Sequence, residues 1–254
     1  MAETKENRVY AEEVRPGYKH TKLGWIPENW DVGRISDYTS KIGSGSTPRG
    51  GSQIYVSSGV PFIRSQNVLN NSLLLDTDSL IPRGIHEMMK NTFVKPGDVL
   101  LNITGASIGR SCVVPKDFVE GNVNQHVCIV RTVKEKLNNH FLQIFLSSYS
   151  GQKSILTMQV GGNREGLNHS GVGSIKIPIP SLKEQKTIAQ CLSTWDTAIT
   201  KLGNLIKVKK KRKKGLMQQL LTGKKRLPGF DGEWEEVSLS NIAKRVTEKK
   251  YGAK

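Results

Sequence analysis

No apolar run in this 254-residue chain approaches the ~20 residues that a membrane-spanning helix needs. The longest candidates are short stretches such as Val99-Leu100-Leu101 and Ser72 to Leu75. The first twenty residues alternate charges around no apolar centre, so a secretory leader is not expected there. Cysteine is scarce: Cys112, Cys128 and Cys191 stand far apart with no C-x-x-C pair, which argues for reduced thiols and against structural zinc. His20, His86, His126, His140 and His169 form no cluster at metal-ligand spacing, so no metal site is assigned. There is no Asn-Pro-Pro-Tyr-type methyltransferase motif and no G-x-x-x-x-G-K-[ST] phosphate loop, and no residue is assigned a catalytic role. Acidic side chains are few: 22 Asp and Glu stand against 38 Lys and Arg, a formal net charge of +16. An excess of that size answers a polyanion, nucleic acid before membrane. A cytoplasmic, non-membrane protein that binds a polyanion is the expectation.

The charge is concentrated. Between Asp196 and Asp231 no acidic residue occurs, while Lys201, Lys207, Lys209, Lys210, Lys211, Arg212, Lys213, Lys214, Lys224, Lys225 and Arg226 supply eleven of the sixteen net positive charges. The rest of the chain is an ordinary, mildly basic sequence, and 36% apolar content is enough to build its core. Two readings of the basic run stay open: a solvated helix face, or a surface for phosphate or a partner, with Lys209 and Lys211 as candidate DNA contacts.

Residues 1–22 read as an N-terminal extension and 23–180 as one mixed α+β domain. Short β-type runs bounded by turn residues recur there: Val60 to Arg64, Asp98 to Ile103, Ser111 to Val114, Val127 to Val133 and Ile175 to Ile179. In the second of them the period-two rule sets Val99, Leu101 and Ile103 on one face and Leu100, Asn102 and Thr104 on the other, which presents polar groups near a glycine turn. Helical spacing is confined to His140 to Tyr149, with a second candidate from Gln152 to Met158. Gly43-Ser-Gly-Ser-Thr-Pro is a flexible loop: an ordinary turn, or a phosphate contact through backbone N–H groups.

Past Pro180 the pattern changes. Ser181 and Glu184 form a capping-box signature that opens a long helix over 181–222. Ile188, Leu192, Trp195, Ile199, Leu202 and Ile206 repeat at 4, 3, 4, 3 and 4, a heptad seam that resumes at Leu216 and Leu220. Lys209 and Lys213 interrupt the seam, and Gly203 and Gly215 predict a close helix contact or a kink. A stripe of this length outreaches the preceding domain and calls for a partner helix. Glu184-Gln-Lys186 superficially matches a nuclease E-x-K fragment, but capping already explains the glutamate. Beyond residue 223 the chain repeats itself: Trp30 to Tyr38 and Trp234 to Ile242 align without gaps, so 223–254 reads as a tail or as the opening of a second repeat unit.

These residues resemble the DNA-sequence specificity (S) subunits of type I restriction–modification systems, in a half-length form. The resemblance rests on Gly24-Trp-Ile-Pro-Glu-Asn-Trp30, Val60-Pro-Phe-Ile-Arg64, Gly97 to Arg110, Asn124-Gln125, Ile177 to Gln185 and Gly215 to Lys224, in that order. It implies a target recognition domain followed by a long helix that forms an antiparallel coiled coil. It also implies a non-catalytic subunit that carries no cofactor and directs methyltransferase subunits, with restriction subunits as further partners, to a bipartite duplex target. S-adenosylmethionine is then expected on the partner methyltransferase. With one unit, the seam from Ile188 to Leu220 lacks its mate, and a homodimer reading a palindromic, gapped site is the expected remedy. The competing reading is a basic coiled-coil scaffold that binds nucleic acid without sequence preference.

Base readout needs Arg, Lys, Asn or Gln held at groove depth. Four turns offer such groups: Arg64, Gln66 and Asn67 after one strand; Asn122 to Gln125 before another; Thr104 and Arg110 around a glycine turn; Asn163 and Arg164 in the glycine-flanked loop 161–166. Asn124 and Gln125 belong to a motif shared by domains of different specificity, which suits them to structure or backbone positioning.

Overall fold

The computed structural model describes residues 15–75, 78–159 and 166–243. The chain enters on a hairpin of β1 (Tyr18–Thr21) and β2 (Gly24–Pro27), in which Gly24 takes φ +95°. There follow β3 (Asp31–Arg34), a helical turn at Ile35–Tyr38, β4 (Thr39–Ser44), β5 (Val60–Ile63), the short β6 (Val68–Leu69), β7 (Ser72–Leu73) and β8 (Leu80–Ile81), and α1 (Arg83–Met88). The middle of the chain supplies β9 (Val99–Asn102), β10 (Ser111–Val113), β11 (Asn122–Val123) and β12 (Val127–Thr132). Then come α2 (Asn139–Ser147), α3 (Tyr149–Gln159), α4 (His169–Ser174), β13 (Lys176–Ile179), the long α5 (Leu182–Leu220) and α6 (Leu239–Ile242). The fold is α+β.

An antiparallel sheet in the order β10-β9-β12-β4 forms the centre, with Leu100 opposite Ile129 and Ile129 opposite Gly43. Both of its faces are covered. Val99, Leu101 and Ile103 pack with Phe141, Leu142 and Leu146 of α2, and Leu100 packs with Ile129, Cys112, Val123 and Ile63 on the other side. The polar face expected at Leu100, Asn102 and Thr104 is therefore not a surface: Leu100 and Asn102 are fully buried, and Thr104 is half-buried beyond the strand. A continuous Val-Leu-Leu run is the pattern of a strand buried on both sides. Asn102 offsets part of the burial: its Nδ2 donates to Ser65 O at 2.8 Å and to Ser107 Oγ at 3.0 Å, while its Oδ1 has no hydrogen-bond partner among the described residues.

The expected glycine loop after β4 is a close approach. Gly43 lies within β4, and a Cβ on Gly45 would stand 1.6 Å from Val123 O. The Gly45 N–H donates to Asn124 O at 3.0 Å, so it is not free for phosphate. Asn138 caps α2 by accepting from Phe141 N at 3.0 Å, and the helix starts at Asn139, one residue before the start predicted at His140. The hairpin, α1 and α4 have no counterpart in the sequence reading.

β13 pairs antiparallel with β3, which delivers the chain to α5 beside the N-terminal part of the domain. Ser181 Oγ accepts from Glu184 N at 3.3 Å, the hydroxyl half of the expected box. The Glu184 carboxylate accepts instead from the Trp30 indole N–H at 3.1 Å. Gln185, fully buried, accepts from Asn138 N at 2.8 Å and donates to Pro180 O at 2.9 Å, tying the helix start to the α2 cap. These contacts account for the Glu-Gln pair without nuclease chemistry.

Two compact units emerge, one ending at Ser193 and one beginning at Thr194. The break falls inside α5, where the stripe leaves the core: Ala189 is buried and Ile188 half-buried against the first unit, while Leu192, Trp195, Ile199, Leu202 and Ile206 are 42% to 66% exposed. α5 runs 39 residues, ~58 Å at 1.5 Å per residue. It passes unbroken through Gly203 and Gly215, and a Cβ at either would meet nothing within 4 Å, so the close contact expected there is not made within the chain. The repeat has a structural echo: Ile35–Tyr38 and Leu239–Ile242 each form one helical turn at aligned positions.

Cys112 and Cys128 are buried in β10 and β12, and burial pushes both thiols up to about 12, whereas Cys191 is exposed. In the native protein at about pH 8, Cys191 alone is expected to react quickly with an aromatic disulfide reagent, the other two only after denaturation. Fast reaction of a second thiol would contradict this packing.

Candidate nucleic-acid interface

β9 ends and β12 begins at the same end of the sheet, so the turns that follow and precede them lie side by side. Ile103 N donates to His126 O at 3.0 Å, and the intervening turn folds back on itself through Gly109 N to Asn102 O at 3.0 Å. Gly105 at φ +72° and Gly109 at φ +85° make that reversal possible. The turn after β5 joins them through the Asn102 bond to Ser65 O. Gln66, Thr104 and Arg110, predicted from separate turns, thus line one pocket of about 400 Å³ together with Ser65, Ser107 and His126. Gln66 and Arg110 are exposed and Thr104 is half-buried, so the pocket is accessible.

His126, which stands at no metal-ligand spacing in the sequence and carries no sequence-based expectation, is brought into this pocket by the fold. Its Nδ1 bonds to Thr104 Oγ1, and its Nε2 lies 3.1 Å from Gln125 Nε2. Gln125 Oε1 in turn accepts from Thr47 Oγ1. With the Gln125 amide in this orientation, Gln125 donates to His126 Nε2 and His126 Nδ1 donates to Thr104 Oγ1. A signal was available, since Asn-Gln-His directly precedes a strand.

The remaining candidates are placed differently. Asn67 is buried, and its amide is spent on backbone: Oδ1 accepts from Arg64 N at 2.9 Å and Nδ2 donates to Leu74 O at 2.9 Å. Arg64 holds its guanidinium 5.4 Å from the Tyr55 ring centroid and does not line the pocket. Asn124, also buried, shapes the turn by accepting from His126 N at 3.0 Å. Asn163 and Arg164 lie outside the described residues; Gly166, which closes their loop, bridges to Thr104. Lys209 and Lys211 belong to the second unit as exposed residues of α5, where Lys209 shares a groove of about 500 Å³ with Leu216 and Leu220.

No described helix is long and apolar enough to cross a membrane. The family model described as "Type I restriction modification DNA specificity domain" matches residues 27–210. The putative type I restriction enzyme MjaX specificity subunit of Methanocaldococcus jannaschii is 26% identical over 250 residues, covering 92% of this chain and 56% of the relative. The MjaVIII specificity subunit of the same organism is 28% identical over 224 residues, covering 84% and 50%. This chain spans about half the length of these curated relatives. Among solved structures, the S subunit of a type I restriction–modification system from M. genitalium superposes with a TM-score of 0.51 at 16% identity, over 75% of this chain and 45% of the other. The HsdS subunit from Thermoanaerobacter tengcongensis gives 0.50 at 16% identity, over 74% and 42%, a likeness of fold. With its matched segment running from the hairpin through most of α5, the chain belongs to the type I restriction modification DNA specificity domain family.

Proposed function

We propose that this chain is the non-catalytic DNA-recognition subunit of a type I restriction–modification complex, directing methyltransferase and restriction subunits to a bipartite duplex target. The observation that carries this is the convergence of Gln66, Thr104 and Arg110 with His126 in one open pocket inside the family-matched segment. An amide, a hydroxyl and a guanidinium are the groups that match donor and acceptor patterns on base edges. The domain at 23–180 is the target recognition domain in this reading, and 181–222 is the assembly helix. The chemistry, with S-adenosylmethionine, belongs to the methyltransferase.

The apolar seam supports a two-fold assembly. Trp195, Ile199, Leu202 and Ile206 are more than half exposed, and no second long helix pairs with them among the described residues. Packing against the same stripe of a second copy, antiparallel, would remove that surface from water. Two identical readers then face a palindromic, gapped site.

Two experiments test these statements. Once the target has been located by sequencing DNA methylated in cells that carry the complex, Gln66→Ala and Arg110→Ala should each lose ~1–3 kcal/mol on the target duplex and little on random duplex. Equal losses on both duplexes would favour the scaffold that binds without sequence preference. Separately, Leu202→Asp with Ile206→Asp should convert a dimer to a monomer by light scattering while the thermal transition of the recognition domain persists. A parent chain already monomeric at micromolar concentration would remove the dimer.

A further inference from the structure

The strands that meet at the Thr104 pocket have their other ends at a second, larger cavity. Asp98 precedes β9, Val113 closes β10, Thr132 closes β12 and Ser40 lies at the start of β4; the antiparallel order gathers all four at one end of the sheet. The cavity there is about 1040 Å³, and its lining includes the exposed Lys95, Lys116, Lys134 and Lys186.

Asp98 is the one carboxylate among the described residues lining this cavity, and it is already engaged. Arg131 Nε and Nη2 donate to its two oxygens at 2.7 and 2.8 Å, and the Lys95 backbone N–H donates at 2.7 Å. None of the four lysine ammonium groups has an ion-pair partner among the described residues. The uncompensated charge acts on its neighbours. Burial and the Lys116 charge hold His140 below its ordinary value. Burial and the charges of Arg131 and Lys95 lower Lys41, with Asp98 opposing.

Among the described residues no Phe, Tyr or Trp lines the cavity, and the one ring present is the His140 imidazole, so it offers no row of aromatic platforms for successive bases. Its ammonium groups are point charges on flexible stems, suited to phosphates and indifferent to sequence. Four such groups around one cavity match closely spaced negative charge, and duplex DNA carries one per ~1.7 Å of axis. From Asp98 to Thr104 is ~20 Å of extended chain, about six base pairs of duplex laid along the sheet.

We propose that this lysine-rimmed cleft is a phosphate-backbone site for duplex DNA, separate from the Thr104 pocket and gripping strand that flanks the bases met there. The flanking role rests on the recognition reading; the phosphate site does not.

The test uses the full chain, a random-sequence duplex of about 30 base pairs and a range of salt concentrations. In Lys95→Gln/Lys116→Gln/Lys134→Gln/Lys186→Gln all four changes are at exposed positions, and circular dichroism verifies the fold. The slope of log affinity against log salt should fall by about two or more, each lost contact removing ~0.9, and affinity near physiological salt should drop at least about tenfold. A control with the same charge loss at Lys22, Lys90, Lys153 and Lys176, exposed positions that do not line the cleft, should keep most of the slope. An unchanged slope in the cleft variant, or equal effects of the two variants, overturns the site. So does a cleft variant that keeps its DNA affinity but no longer retains methyltransferase subunits, which would assign the cleft to an acidic protein surface. A parent chain that fails to discriminate target from random duplex, while its cleft variant still loses slope, refutes the recognition reading and leaves the phosphate site standing.

Discussion

Burial of β9 on both faces is the constraint from which the rest of this domain follows. Val99, Leu100 and Leu101 are all fully buried, so the strand has no side on which to place a solvated residue. Polar groups can then occur only at its two ends, where burial calls for hydrogen-bond partners. Asp98 meets this at one end with Arg131 and the Lys95 N–H. Asn102 meets it in part at the other: its Nδ2 donates to Ser65 and Ser107, while its buried Oδ1 has no hydrogen-bond partner among the described residues. Removing one partner of a buried ion pair typically costs ~3–5 kcal/mol, so the Asp98 end is held firmly. The Asn102 amide draws the β5 turn onto the β9 turn, and the Asn124 N–H, donating to Ile63 O at 3.0 Å, holds the end of β5 against the turn before β12. The same bonds that permit the buried strand therefore assemble both polar surfaces.

Legibility in the sequence followed the range of the interactions. The β runs, the first turn of α5 and the heptad stripe were read from neighbours one to seven residues apart, and they appear with boundaries shifted by a residue or two. Gln66, Thr104 and Arg110 could be proposed as side chains of a suitable type, but nothing local said that their turns share one pocket. That fact depends on the antiparallel register of β9 and β12 and on an amide bond spanning 37 residues. Asn67 had the right chemistry, yet it folds inward because its amide replaces two backbone partners that the turn would otherwise lack. The polar face expected on β9 failed because period-two alternation says which residues share a face and not whether that face meets water.

Charge shows the same limit in a sharper form. Eight of the eleven positive residues of the basic segment lie on α5, where they are evident in the sequence. Lys95, Lys116, Lys134 and Lys186 make no run at all, being scattered over ninety-two consecutive positions. Lys95, Lys116 and Lys134 converge because β10, β9 and β12 alternate in direction, which returns the chain to the same sheet end after each turn, and Lys186 joins them from the first turns of α5. A basic cavity of this kind is a product of topology, and the one carboxylate lining it among the described residues is taken by an arginine.

α5 poses the opposite problem: its pattern is clear in the sequence, but its partner is not in the described chain. Most helical stability in proteins comes from packing one apolar face, since propensity alone leaves helices of this composition marginal. The segment after Ser193 contains Gly203 and Gly215, each worth ~1 kcal/mol against the helix, and a block of like charges from Lys209 to Lys214 that adds repulsion. Against these stand the capping at Ser181, the Gln185 anchor and whatever covers Trp195 to Ile206. The capping and the anchor act only at the first turns. Under the proposed assembly, burial of the seam would both hold the far part of the helix and set the distance between two recognition domains, so that folding of the rod and spacing of the target would be fixed by one contact.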